Sequence, residues 1–185
     1  MSLWIVELPD VVKEHLVLTK TATPPRYRIL FVCMGNICRS PLAAAVTRGL
    51  AQREGLGALV ETDSAGTHGH YHAGEAPDPR ARKVGAKRGY DLSKMRARPV
   101  VLADFERFDR ILAMDQQNMA NLLRLCPEES RAKLGMFLDY VPEFGLTEVP
   151  DPYYGAESGF ERVLELCERA ARVLLAACEH GQLAP

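Results

Sequence analysis

The sequence predicts an α/β fold: a four-stranded parallel sheet flanked by helices on both faces. Three observations lead there. Short continuous apolar runs, such as Ile29-Leu30-Phe31-Val32, alternate with longer stretches of helical period, the order that a parallel sheet with crossover helices requires. Gly- and Pro-bearing segments separate the two kinds of run, and such residues mark turns. Ser40-Pro41 opens an Ala/Leu-rich stretch soon after the first apolar run. Ser before Pro is a good helix-start pair, so a strand passes into a helix through a short loop.

The elements follow in order. Residues 1–27 stand apart: LWIVEL has the look of a short strand and VVKEHLVL of a turn or two of helix. Thr23-Pro24-Pro25 then breaks any regular element. This stretch is an N-terminal extension, either an appendage packed on the domain or contacting a partner, or a frayed tail; residues 28–185 are a single domain. Residues 28–33 form the first strand and 41–54 a helix, with Ala43–Val46 and Leu50 supplying apolar surface. A second strand spans 58–62, and 63–79, rich in Gly, His and Pro, is a long loop. Residues 80–89 are a basic helix that Gly89 can end. The cluster Arg80, Arg82, Lys83, Lys87 and Arg88 reads as a solvated helix face. A short helix over 99–107, a strand over 110–114, a helix over 116–125 and a strand over 134–138 come next. A loop covers 139–157, and 158–180 is a long closing helix whose Phe160, Val163, Leu164, Cys167, Leu174 and Cys178 follow helical spacing.

Composition narrows the function classes. The chain of 185 residues is long enough for one domain with a full core, and 47% hydrophobic and 25% charged residues are ordinary globular values. A net charge of −1 argues against a general nucleic-acid or membrane-surface binder. No apolar run reaches the roughly 18 residues of a membrane span. Glu7, Asp10 and Glu14 interrupt the N-terminal apolar residues, unlike a secretory signal. Five cysteines, an odd number without a dense framework, fit a reducing, cytoplasmic compartment.

The chemistry concentrates in FVCMGNICRSP, residues 31–41. Between Cys33 and Arg39 the backbone of Met34, Gly35, Asn36, Ile37 and Cys38 can curl so that its N–H groups surround one anion. The loop sits between a strand's C-terminal end and a helix N-terminus, where the helix dipole favours negative charge. That placement favours the thiolate form of Cys33, and the thiolate is the nucleophile. The Arg39 guanidinium is a planar fork that holds two phosphate oxygens at once. Nucleophile, amide cradle and guanidinium together read as a site for phosphate-ester hydrolysis; a small hydrophobic Cys ending a core strand would not call for Gly35, Asn36, Arg39 and Ser40 around it.

Beyond this loop the sequence resembles the low-molecular-weight protein tyrosine phosphatase family over residues 28–180. The resemblance rests on FVCMGNICRSP (31–41), DSAGT (63–67), PDPRA (77–81), AMDQQN (113–118) and DPYYG (151–155), in that order. It implies a four-stranded parallel sheet with flanking helices and no metal or organic cofactor. It implies that Cys33 attacks phosphorus to form a phosphocysteine, that Arg39 binds the phosphoryl oxygens, and that Asp151 is the general acid and then the general base. A dianionic phosphate nearby favours the protonated form of such a carboxyl. Ser40 resembles the hydroxyl that donates to the thiolate, and Asn36 the residue that holds the loop in a left-handed turn, with Ser64 its hydrogen-bond partner. Tyr153 and Tyr154 resemble the aromatic wall of the substrate cleft, and Tyr71 the opposite wall, although His70 could take that place. Cys38 resembles the second cysteine that forms a reversible disulfide with the nucleophile. Asp115 reads as the cap of the helix beside it. The expected partners are a phosphotyrosine-containing protein and the product phosphate, without nucleic acid or membrane, in a monomer or weak homodimer.

Some alternatives stay open. His68, His70 and His72 alternate as in a metal tract, but a metal held with Cys33 would occupy the nucleophile and leave DPYYG unexplained. Ile37 stands where the phosphoarginine phosphatases of this family typically carry Thr, which favours phosphotyrosine over phosphoarginine. A thioredoxin-coupled arsenate reductase shares the Cys-x5-Arg loop but needs two further reactive cysteines on a mobile segment. Here Cys126 stands alone before Pro127, and Cys167 and Cys178 lie in the closing helix. A phosphopeptide-binding module would be expected to lack Cys33 or Asp151.

Overall fold

The computed structural model describes residues 27–183; the expectations for residues 1–26 lie outside the described residues. Four strands form one sheet: β1 (Tyr27–Cys33), β2 (Val60–Gly66), β3 (Arg110–Ala113) and β4 (Leu134–Met136). Their order is β2–β1–β3–β4 and every pairing is parallel. The helices are α1 (Arg39–Arg53), α2 (Pro79–Lys87), α3 (Leu102–Arg107), α4 (Gln116–Leu125) and α5 (Glu157–Glu179).

The continuous apolar run of β1 is explained by burial on both faces. Ile29, Phe31 and Cys33 point into a core shared with α1, α2 and α5. Leu30 and Val32 point to the other side, against Phe105 and Phe108 around α3 and Leu122 of α4. Each fully buried Phe or Leu contributes roughly 1.5–3 kcal/mol relative to exposure. The chain leaves β1 for β2 on one side and later crosses to β3 on the other. The C-terminal end of β1 is therefore the switch point where open parallel sheets place ligands, and there the 33–39 loop begins.

Several boundaries differ from the sequence reading. The β2 strand starts at Val60 and continues to Gly66, so DSAG belongs to the sheet rather than to a loop. Periodicity misses this because small and polar residues fill the strand's end: Gly66 lies so close to the neighbouring loop that a Cβ there would be 2.6 Å from the Met34 carbonyl oxygen. The α1 helix begins at Arg39, placing Arg39 and Ser40 in its first turn. Residues 99–101 are extended rather than helical, because Pro99 bridges to Gly66 and the Asp104 carboxylate caps the Val101 N–H at 2.9 Å. The last strand ends at Met136, and Phe137–Tyr140 turns as a 3-10 helix. Gly89 takes φ 75° just past α2, as its helix-ending role requires.

The basic face of α2 is not simply solvated. Lys83 and Lys87 pair with Glu157 at 2.7 and 2.8 Å, and Arg88 with Glu168 at 2.7 Å. Glu157 and Glu168, eleven positions apart on the distant α5, supply the partners, which no local pattern reveals.

Candidate active site

The 33–39 loop closes on itself through Asn36. Its φ of 59° is the left-handed turn expected of an Asn at this point, and its side chain is 1% exposed. Its Nδ2 donates to Ser40 Oγ at 3.0 Å and to Ser64 Oγ at 2.9 Å. Ser40 Oγ in turn lies 3.0 Å from Cys33 Sγ. Among the described residues, the N–H groups of Gly35, Asn36, Ile37 and Cys38 donate to no carbonyl or side chain, so the loop carries unspent donors where an anion would sit.

Arg39 is 3% exposed. Its Nη1 donates to Asp115 Oδ2 at 2.6 Å and to the Val149 carbonyl at 3.2 Å, and its Nη2 to Asp151 Oδ2 at 2.8 Å. Its Nε is buried without a partner. Burial alone would lower the Arg39 pKa, but Cys33, Asp151 and Asp115 outweigh it and hold the guanidinium charged. Asp115 does cap α4 as expected, its Oδ1 accepting from the Asn118 N–H at 2.6 Å. The ion pair with Arg39 was not foreseen, since the two residues are 76 positions apart.

A cleft of about 260 Å³ opens above this loop, lined by Cys33, Ile37, Cys38, Arg39, Asp151 and the rim. Met34, Gly35, Tyr71, His72, Tyr153 and Tyr154 complete the lining. Of the two residues the sequence leaves in competition, Tyr71 lines the cleft, joined there by His72, whereas His70 packs against the Tyr71 ring at 4.2 Å between centroids. No group of His, Cys, Asp and Glu among the described residues is arranged to hold a metal ion. Cys38 is buried beside Cys33, and that burial, with the nearby Asp78 carboxylate, pushes its thiol well up. Cys126, Cys167 and Cys178 are buried.

Arg80 was also missed. Its Nε and Nη2 hold Asp78 at 3.0 and 2.8 Å, and its Nη1 and Nη2 reach the carbonyls of Gly155 and Tyr153 at 3.0 Å each. The Asp78 N–H donates to the Ile37 carbonyl at 2.8 Å. One guanidinium thus ties the 151–155 segment to the start of α2 and, through Asp78, to the loop of Cys33.

A thiol among free amides at a strand-to-helix junction, with a buried arginine beside it and a carboxylate in the same cleft, is an arrangement suited to cysteine-based phosphoryl transfer. The family model described as low molecular weight phosphotyrosine protein phosphatase matches residues 28–183. The chain is 48% identical over 154 residues to the low molecular weight protein-tyrosine-phosphatase of Streptomyces coelicolor, covering 82% of this chain and 93% of that protein. It is 40% identical over 149 residues to the human low molecular weight phosphotyrosine protein phosphatase, covering 80% and 92%. Among solved structures, a protein tyrosine phosphatase from Entamoeba histolytica with Hepes in its active site superposes with TM-score 0.81 at 46% identity, covering 85% of this chain and 99% of that one. The chain belongs to the low molecular weight phosphotyrosine protein phosphatase family.

Proposed function

We propose that the chain hydrolyses phosphotyrosine in proteins, with Cys33 as nucleophile, Arg39 as phosphate ligand and Asp151 as general acid and base. The observation that carries this reading is the convergence of these three residues on one cleft, 118 positions of chain apart at the extremes. The thiolate of Cys33 attacks phosphorus and the bond to the tyrosyl oxygen breaks. Asp151 gives its proton to that oxygen, so a neutral phenol leaves. Asp151, now a carboxylate, takes a proton from water, the water oxygen bonds to phosphorus, and the P–S bond breaks to return the thiolate and release phosphate. The loop amides and Arg39 bear the charge that builds on the phosphoryl oxygens.

Arg39 suits this task for a stated reason. Asp115 and the Val149 carbonyl occupy Nη1 and fix the fork. The other edge presents the unpartnered Nε and the Nη2 held by Asp151, and that edge matches two phosphate oxygens. A substrate dianion replaces Asp151 at Nη2, which sends the carboxyl, 47% exposed, toward the leaving group. Ile37 in the cleft wall and the Tyr71, Tyr153 and Tyr154 rim favour an aryl over a guanidinium linkage. We place residues 28–185 in one phosphatase domain working in the cytoplasm as a monomer or weak homodimer. No helix among the described residues is long and apolar enough to cross a membrane.

The test is steady-state hydrolysis of phosphotyrosine and phosphoarginine peptides side by side, without metal and in reductant. Preference for phosphotyrosine is expected, with turnover abolished but phosphate binding kept in Cys33→Ser. Preference for phosphoarginine overturns the substrate, and near-normal turnover of Cys33→Ser overturns the mechanism.

A further inference from the structure

Ser40 Oγ has one proton and two acceptors in reach: Cys33 Sγ at 3.0 Å and the Ala65 carbonyl at 3.3 Å. Asn36 Nδ2 already donates to its oxygen. The thiolate therefore receives the Ser40 proton only while the Asn36 amide keeps its NH2 end toward Ser40. Both Ser40 and Ser64 could also donate to an amide oxygen, so they do not fix that orientation. The group that fixes it is the backbone N–H of Arg98, which donates to Asn36 Oδ1 at 2.9 Å and cannot accept.

The position of that N–H is in turn strongly determined. Arg98 Nε and Nη2 hold Asp63 Oδ2 at 3.2 and 2.8 Å, while Nη1 and Nη2 hold the two oxygens of Asp104 at 2.9 and 3.1 Å. Asp104 is 4% exposed and also caps α3 through the Val101 N–H. Asp63 also accepts from the Ser64 N–H at 2.7 Å. The Arg98 carbonyl accepts from the Gly66 N–H at 2.9 Å. Burial alone would lower the Arg98 pKa, yet Asp104 and Asp63 more than compensate and keep the guanidinium charged.

We propose that Arg98 is a positioning residue for Cys33: clamped between Asp63 and Asp104, it presents the N–H that orients Asn36 and so directs the hydrogen-bond chain Arg98 N–H, Asn36 amide, Ser40 hydroxyl, Cys33 thiolate. Each donor in the chain points toward the sulfur, and aligned hydrogen bonds polarise one another in a buried site. Arg98 touches no substrate; it acts on the nucleophile through two intermediaries. The proposal rests on Cys33 being the nucleophile, but its test does not need turnover.

The test compares Arg98→Gln, Arg98→Lys and Asp104→Asn with the parent, following carboxamidomethylation of the Cys33 peptide by iodoacetamide across pH. Arg88→Gln, which loses an ion pair between α2 and α5 instead, is the control. Expected is an alkylation profile displaced to higher pH in Arg98→Gln, with roughly ten-fold slower reaction at about pH 6, the scale of one charge-assisted hydrogen bond. Arg98→Lys should recover part of the loss, Asp104→Asn should show a smaller displacement of the same sign, and Arg88→Gln none. In turnover the loss should fall on kcat rather than KM, since the phosphate ligands are untouched. Parental alkylation profiles in folded Arg98→Gln and Asp104→Asn overturn the proposal, as does an equal displacement in Arg88→Gln. Should Arg98→Gln fail to fold, the Asp104→Asn profile decides alone. Phosphotyrosine hydrolysis by the parent tests the functional reading separately.

Discussion

Replacing Asp115 separates two tasks performed by one carboxylate. Its Oδ1 caps α4 and its Oδ2 holds the buried Arg39. Asp115→Ala loses both contacts: about 1 kcal/mol for the cap and about 1.5–3 kcal/mol for a hydrogen bond to a charged group. The sum of about 2.5–4 kcal/mol corresponds to a fall in melting temperature of roughly 5–16 °C in a domain of this size. Asp115→Ser keeps a capping oxygen but is too short to reach Arg39, so it should recover about 1 kcal/mol of stability and none of the activity. Activity should fall alike in both variants, because Arg39 is left, among the described residues, with Asp151 as its carboxylate partner. A substrate phosphate then competes with a tighter Arg39–Asp151 pair on a less firmly oriented fork, and roughly 10–100-fold is lost in kcat/KM. Urea unfolding and hydrolysis of a phosphotyrosine peptide measure the two quantities. A kcat/KM for Asp115→Ala within two-fold of the parent, about 0.4 kcal/mol, would refute the claim that Asp115 holds Arg39 ready for its proposed phosphate-binding role.

Three further outcomes are expected. Asp151→Ala should lower kcat by roughly 10²–10⁴-fold, most for aryl phosphates with poor leaving groups; a loss independent of the leaving group counts against the general-acid role. Mild peroxide should inactivate the enzyme in a thiol-recoverable way, by oxidation of Cys33 to a sulfenic acid that Cys38 displaces with loss of water; in Cys38→Ser most of the loss should resist dithiothreitol, and full recovery there contradicts the pairing. Glu157, pushed down to about 2 by Lys83 and Lys87 from a usual 4.5, has the lower pKa in the folded state. Its contribution is present above about pH 4.5 and is lost as pH falls toward 2. Melting of Glu157→Gln at low salt should therefore trail the parent at pH 7 and converge with it in strong acid; an equal gap at both ends contradicts the assignment.

The legible part of this molecule was the part written locally. Cys33, Asn36, Arg39 and Ser40 lie within eight residues, and the loop they form carries its own strand and helix signals, so its place at the end of β1 followed from the sequence. The α4 helix was likewise legible to the residue, since Asp115 caps it. What escaped was long-range charge pairing. Arg98 meets Asp63 across 35 positions, and Arg80 meets the 151–155 segment across more than 70. The basic residues of α2 find their partners on α5. Nothing in local spacing distinguishes an arginine that will clamp a loop from one that will face water. The end of β2 escaped for the opposite reason: Ser64, Ala65 and Gly66 are small, Gly66 because the Met34 carbonyl presses on it, and smallness reads as a turn.

Arg80 grips the 151–155 segment by the carbonyls of Tyr153 and Gly155, and by neither tyrosine's hydroxyl. The wall chemistry of the cleft and the aim of Asp151, its proposed acid, thus rest mainly on different atoms. Side chains at 153 and 154 can be exchanged to suit a different phosphoprotein while the backbone that carries Asp151 stays pinned. A lineage, or a protein engineer, can therefore retune what this cleft accepts without rebuilding how it cuts.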